Sequence, residues 1–181
     1  MGHILRTGTR NALISGNTIM SLSDTLIRQL DPPVRMFLTA VDTCPTDVWT
    51  ASVDGDWPIW QHVLHAGYYF DMWMRTPDIP FAPPAFVDVD AAKLDTSSLP
   101  VDRVLLRAYL VDIHTRTVDL LGRLTDDDLT CDIEINGESK PLLDTTIGQI
   151  RHLMYHAGCI SSLLRRATGT PLPWIGYHKP I

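Results

Sequence analysis

Cysteine is scarce in this sequence, and no motif pairs the few that occur. Cys44, Cys131 and Cys159 are the three cysteines in 181 residues, and no two are spaced as Cys-x-x-Cys. An odd number of scattered cysteines argues against a disulfide framework and against a zinc site built from thiolates. We therefore expect each cysteine to be a small buried apolar residue.

Basic charge is also low. The chain has 15 lysines and arginines against 21 aspartates and glutamates, which gives a formal net charge of −6. A protein that binds nucleic acid by neutralising phosphates needs a basic face, and no run of basic residues supplies one. We therefore expect no nucleic-acid partner.

Long hydrophobic runs are missing too. No stretch reaches the roughly 18 uncharged apolar residues that a membrane span requires, and the apolar core near the N-terminus, at 12–14, is too short for a secretory signal. We expect a cytoplasmic protein with no membrane partner. We interpret residues 1–19 as a leader or disordered N-terminus and residues 20–181 as a single domain.

The apolar residues that are present recur at helical spacing in four segments, at about 23–43, 57–75, 101–124 and 146–166. Pro32 and Pro33 interrupt the first pattern and predict a kinked or broken helix. In the third segment the predicted core stripe consists of Val101, Val104, Leu105, Ala108, Val111, Thr115, Val118 and Leu121. The fourth helix is predicted to begin at Thr146, which has capping-box spacing to Gln149, and to stop at Gly169.

The connections complete the predicted architecture. Residues 76–100 contain five prolines and no helical period, which indicates a long crossing after the second helix and a candidate lid over a site. Asn136-Gly137 lies between alternating residues and predicts a small β-hairpin at about 130–142, before the fourth helix. The fold class is therefore all-α, a four-helix bundle.

Histidines on two of these helices suggest a metal site. His152 and His156 are four residues apart and point the same way from adjacent turns, while the apolar second helix contains His62 and His65. Three neutral imidazoles would leave a divalent ion such as Zn²⁺, Ni²⁺ or Fe²⁺ with an open position. The alternative interpretation is that His152 and His156 are partly exposed residues at the helix flank and that His65 is a core histidine.

Two segments resemble the DinB-like superfamily: 58–66, with the sequence PIWQHVLHA, and 146–158, with the sequence TIGQIRHLMYHAG. The likeness extends from about residue 21 to residue 167. The resemblance implies that one histidine of the second helix and the His-x-x-x-His of the fourth bind a divalent metal. Carried over by position, the ligands are His65, His152 and His156, and His62 is the rival for the first of them.

The resemblance also implies a metal-dependent thiol enzyme with a small-molecule substrate, such as a transferase that uses a low-molecular-weight thiol like bacillithiol or mycothiol as co-substrate. A metal bound to sulfur favours the thiolate, which is the nucleophile. Tyr69, one turn beyond His65, is a candidate substrate-binding residue, although packing is the simpler role for it. We assign no catalytic residue, and we expect a homodimer. The alternative is a non-catalytic, metal-binding or stress-related homodimeric bundle.

Overall fold

Helices dominate the architecture of this protein. The computed structural model describes residues 20–75, 79–93 and 100–176, so that the interpretation of residues 1–19 as a leader lies outside the described residues. In chain order the elements are α1 (Leu22–Thr43), α2 (Thr46–Thr50), α3 (Ile59–Trp73), α4 (Val89–Ala92), α5 (Arg103–Leu121), α6 (Asp126–Thr130), β1 (Asp132–Ile135), β2 (Glu138–Pro141) and α7 (Leu142–Thr168).

The four long helices α1, α3, α5 and α7 pack around one core. Helix α3 lies against α5 and α7, and α1 lies against the same two helices from the other side. Fully buried side chains from all four, among them Phe37, Leu64, Leu110 and Leu153, fill the interior. The predicted all-α four-helix bundle is confirmed. In the described part of the chain, no helix combines the length and the apolar character needed to cross a membrane.

Helix α1 runs through both prolines, so it is not broken there, and the alternative of a kink stays a prediction. Pro32 and Pro33 lie inside the helix, and both rings are buried in the core. A proline in a helix interior leaves the carbonyl four residues earlier without its partner. Those carbonyls belong to Arg28 and Gln29, which are exposed, so water can satisfy them. Burial of the two proline rings then offsets part of the free energy lost with these two hydrogen bonds.

The predicted core stripe of α5 is wrong except at Leu121, because most of its residues lie on the outer side of the helix. Val104, Leu105 and Val111 are exposed, with 74% of Val104 accessible to solvent. The buried residues of α5 are Leu106, Tyr109, Leu110, Ile113, Thr117 and Leu121. Both sides of this helix carry apolar residues at helical spacing, so the pattern alone selected the wrong side.

Helix α7 begins at Leu142, four residues before the predicted start. Thr146 is inside the helix, where its buried hydroxyl donates to the carbonyl of Leu142 at 2.8 Å, and it does not cap the helix. The predicted end is confirmed: Gly169 has φ 79° and its N–H donates to the carbonyl of Arg165. A left-handed residue of this kind commonly closes a helix, and glycine adopts it without steric cost.

The two predicted connections are present. Strands β1 and β2 form an antiparallel hairpin in which Ile135 pairs with Glu138, and the turn residues Asn136 and Gly137 have φ 55° and 79°. Positive values at both central positions are typical of a type I′ turn. The described part of the long crossing between α3 and α5 includes a helical turn, α4, that the sequence analysis did not predict. Ala91 and Ala92 of this turn are fully buried.

The three cysteines lie in different environments. Cys44 is buried, Cys159 is partly buried, and Cys131 is exposed between α6 and β1. Burial raises the pKa of Cys44 to about 11, which keeps this thiol protonated at neutral pH. The expectation of three buried cysteines is therefore correct for Cys44 and wrong for Cys131.

Candidate metal centre

Three histidines meet where α3 packs against α7. His65 comes from α3 and His152 and His156 come from α7, and one ring nitrogen from each lies within 4.8 Å of the other two. The Nε2 atoms of His65 and His152 are 3.2 Å apart. The ring centroids of His65 and His156 are 4.6 Å apart. The structure thus brings together the three histidines that the sequence had indicated.

The local sequence explains why the two rings of α7 face α3. Four residues of an α-helix turn through about 400°, so His152 and His156 project from nearly the same side. Leu153 and Ala157, which follow them in the chain, are buried in the core. Their burial fixes the rotation of α7 about its own axis. As a result, the histidine pair lies at the boundary of the core, beside His65.

All three imidazoles are neutral at physiological pH. Burial lowers the pKa of His152 to about 4 and, together with the proximity of the other histidines, lowers that of His156 to about 3. Burial also lowers the pKa of His65, although the hydrogen bond to Ala92 opposes this effect. A neutral imidazole has a free lone pair on one nitrogen, which is the form that binds a metal ion.

A backbone hydrogen bond determines the tautomer of His65. Its Nδ1 lies 2.8 Å from the carbonyl oxygen of Ala92 in α4. Because a carbonyl can only accept, Nδ1 must carry the proton, and the lone pair is left on Nε2. This arrangement is common for histidines that bind metals. No side-chain pattern could have identified Ala92, because its contribution comes from the backbone of an unpredicted turn.

His62, the rival for the α3 ligand, is adjacent to the cluster but outside it. Its side chain is almost fully buried, and its Nδ1 lies 3.0 Å from Nδ1 of His156. Its Nε2 has no hydrogen-bond partner among the described residues and is 4.0 Å from Oδ1 of Asp56. Burial lowers the pKa of His62 to about 4. The geometry therefore favours His65 as the member of the three-histidine group.

Tyr69 forms part of the wall of the centre. Its ring centroid is 4.8 Å from that of His65 and 5.9 Å from that of His152. A cavity of about 620 Å³ lies further along α3 and α7, and its lining includes Trp73 and Gln149. These two residues lie about one helical turn beyond Tyr69 and His152. Neither Tyr69 nor the three histidines are among the residues that line this cavity, so it neighbours the centre without including it.

His114 does not belong to this centre. It lies on α5, where its Nε2 is 3.9 Å from Oδ1 of Asp31. Its ring is part-buried, and burial lowers its pKa. His114 is therefore a suitable control residue for experiments on the cluster.

The donor set fits a divalent metal ion. The three rings are neutral, their nitrogens are close together, and His65 has a backbone acceptor on its second nitrogen. Three-nitrogen sites of this kind leave a fourth position open, which distinguishes reactive zinc sites from structural ones. The same donors also suit nickel and iron.

Comparison with known proteins identifies the family. The sequence model of the DinB superfamily matches residues 29–160, which include all three histidines. The fold is similar to the crystal structure of a DinB-like protein from Bacillus cereus, with a TM-score of 0.64 and 16% identity over 86% of this chain and 97% of that one. No curated protein matches the chain by sequence. The family match covers most of the chain and the fold agrees with it, so the chain belongs to the DinB superfamily.

Proposed function

We propose that this protein is a metal-dependent small-molecule enzyme in which His65, His152 and His156 hold one divalent ion. The observation that supports the proposal is the convergence of three neutral imidazoles, with ligand atoms within 4.8 Å of one another, at the boundary of the core. Three neutral imidazoles whose nitrogens lie this close together form a donor set that a single divalent ion can share.

We further propose a thiol-dependent transferase reaction. When bound, the ion would hold a thiol sulfur as the thiolate, the reactive form that a free thiol of pKa about 8.5 scarcely populates at neutral pH. The chain itself would orient this substrate. Tyr69 contacts both His65 and His152 and would lie against it, and the cavity beside Trp73 and Gln149 would hold the remainder.

Metal analysis tests the binding site. We expect wild-type protein purified without a histidine tag to contain about one divalent ion per chain, because the three rings form one site. His65→Ala, His152→Ala and His156→Ala should each lose the ion, and His114→Ala should keep it. A wild type without metal, or a His65→Ala variant with full occupancy, would contradict the proposed ligands.

A thiol panel tests the reaction. Wild-type protein loaded with metal is incubated with low-molecular-weight thiols, bacillithiol and mycothiol included, and a chromogenic electrophile. We expect the rate with at least one thiol to exceed that of the variant in which all three histidines are alanine. Equal rates with every thiol would leave a metal-binding bundle without transferase activity.

A further inference from the structure

A second histidine contact lies directly behind the cluster. The Nδ1 atoms of His62 and His156 are 3.0 Å apart, and both side chains are almost fully buried. Two neutral imidazoles can approach this closely only if one nitrogen donates a proton and the other accepts it. The contact therefore fixes the tautomers of both rings together, and the direction of the bond determines which nitrogen of His156 keeps its lone pair.

Asp56 sets the direction of this hydrogen bond. Its Oδ1 lies 4.0 Å from Nε2 of His62, a nitrogen that has no hydrogen-bond partner among the described residues. A negative charge at this distance favours the tautomer with the proton on Nε2. The Nδ1 of His62 is then the acceptor. Arg166 holds Asp56 in place through a 3.2 Å contact to its Oδ2.

We propose that His62 is a positioning residue for His156 and does not itself bind the ion. In this arrangement Nδ1–H of His156 donates to Nδ1 of His62, and the lone pair of His156 is held on Nε2, ready for a cation. His62 would thus fix the tautomer of His156, as the carbonyl of Ala92 fixes the tautomer of His65. The Nδ1 of His65 is 2.8 Å from that carbonyl oxygen. The inference rests on the proposed metal site.

Two substitutions of His62 separate the hydrogen bond from the packing. His62→Gln keeps an oxygen that can accept from His156, whereas His62→Phe fills the space against Trp57 but cannot accept. Zinc affinity is measured by competition with a chromogenic chelator. We expect His62→Phe to bind zinc about 10- to 100-fold more weakly, the usual effect of losing such a partner. His62→Gln should stay within about threefold of wild type.

Nitrogen-15 NMR of the histidine rings supplies a readout that packing alone would not change. With zinc bound, we expect His156 in wild type and in His62→Gln to carry its proton on Nδ1, with slow solvent exchange. In His62→Phe this protected proton should be lost. Circular dichroism confirms that each variant is folded. The spectrum of the metal-free protein reports on the bond between His62 and His156 even without an ion.

Substitutions at the surface give a second test that does not disturb the core. Asp56→Asn removes the charge that faces His62, and we expect it to weaken zinc binding about threefold at low salt. Asp54→Asn is the matched control, because Asp54 also pairs with Arg166, at 3.1 Å. We expect the affinity of Asp54→Asn to equal that of wild type. Equal affinities in the two variants would contradict the assigned role of Asp56.

The outcomes separate this inference from the proposed function. If wild type and His62→Phe bind zinc equally well and show the same His156 tautomer, the positioning role is wrong and the metal site stands. If both His62 variants lose the ion while His65→Ala keeps it, His62 is itself a ligand. A wild type that binds no zinc contradicts the metal site, and a metal-free spectrum with the His156 proton on Nε2 contradicts the positioning role.

Discussion

A backbone carbonyl, rather than a side chain, sets the tautomer of His65. The 2.8 Å hydrogen bond to Ala92 joins the centre to α4, so the long crossing takes part in the site that it was predicted to cover. A further contact of this crossing supports the same region, since Nε2 of Gln61 donates to the carbonyl of Ala91 at 3.2 Å. The position of α4 thus affects the orientation of His65.

Tyr69 is predicted to act on substrate binding and not on the metal. We expect Tyr69→Phe to retain one ion and to raise KM by about two- to tenfold, the effect of one lost neutral hydrogen bond. The matched control is Tyr68→Phe, because Tyr68 is buried and its ring packs edge-on against that of Phe81. Steady-state kinetics with the active thiol measure both variants. An unchanged KM in Tyr69→Phe would leave Tyr69 with a packing role.

The sequence was sufficient to select the histidines that converge, but it could not identify the groups that form hydrogen bonds with them. The four-residue spacing of His152 and His156 and the family resemblance pointed to residues that lie together, and their role as ligands stays a prediction. Spacing on α3 could not choose between His62 and His65, because three residues on a helix are only about 60° apart. The contacts that distinguish them, to Ala92 and to His156, depend on tertiary packing.

At the scale of the elements, α5 shows the limit of hydrophobic periodicity. Its outer side carries Val104 and Val111 and its inner side carries Leu106, Leu110 and Ile113, so both sides satisfy the helical pattern. Which side is buried depends on how α5 meets α1 and α3, and this cannot be read from one segment. The polar residues between the two apolar sides of α5 did not indicate which side is buried either.

A pair of adjacent substitutions tests this orientation. Leu110 is 1% exposed and Val111 is 39% exposed. We expect Leu110→Ala to lower the free energy of unfolding by about 2–5 kcal/mol, because it leaves a cavity in the core. Val111→Ala should change it by less than about 0.5 kcal/mol. Urea unfolding measures both. A larger loss in Val111→Ala would mean that the predicted stripe faces the core after all.

For the whole molecule, a bound ion should stabilise the fold. An ion at about 100 times its dissociation constant adds about 2.7 kcal/mol, which corresponds to a rise in Tm of about 5–10 °C for a protein of this size. We expect chelation to lower the Tm of wild type by this amount and added zinc to restore it. The variant with all three histidines replaced by alanine should not respond, and a response equal to that of wild type would place the ion elsewhere.

The homodimer that we expect from the sequence is also a property of the whole molecule, and it stays a prediction. The outer side of α5 exposes Val104, Leu105 and Val111 together, and exposed apolar surface of this kind often contacts another chain. We expect light scattering to give twice the mass of one chain at micromolar concentration. The mass of a single chain over the same range would contradict the prediction.

The coordination of the ion tests the central claim most directly. X-ray absorption of the zinc-loaded protein reports the donor atoms and their distances without any assumption about activity. We predict three imidazole nitrogens at about 2.0–2.1 Å and one further light atom, and no such signal in His65→Ala, which should not retain the ion. A sulfur donor at about 2.3 Å, or an imidazole count that His65→Ala leaves unchanged, would contradict the three-histidine site.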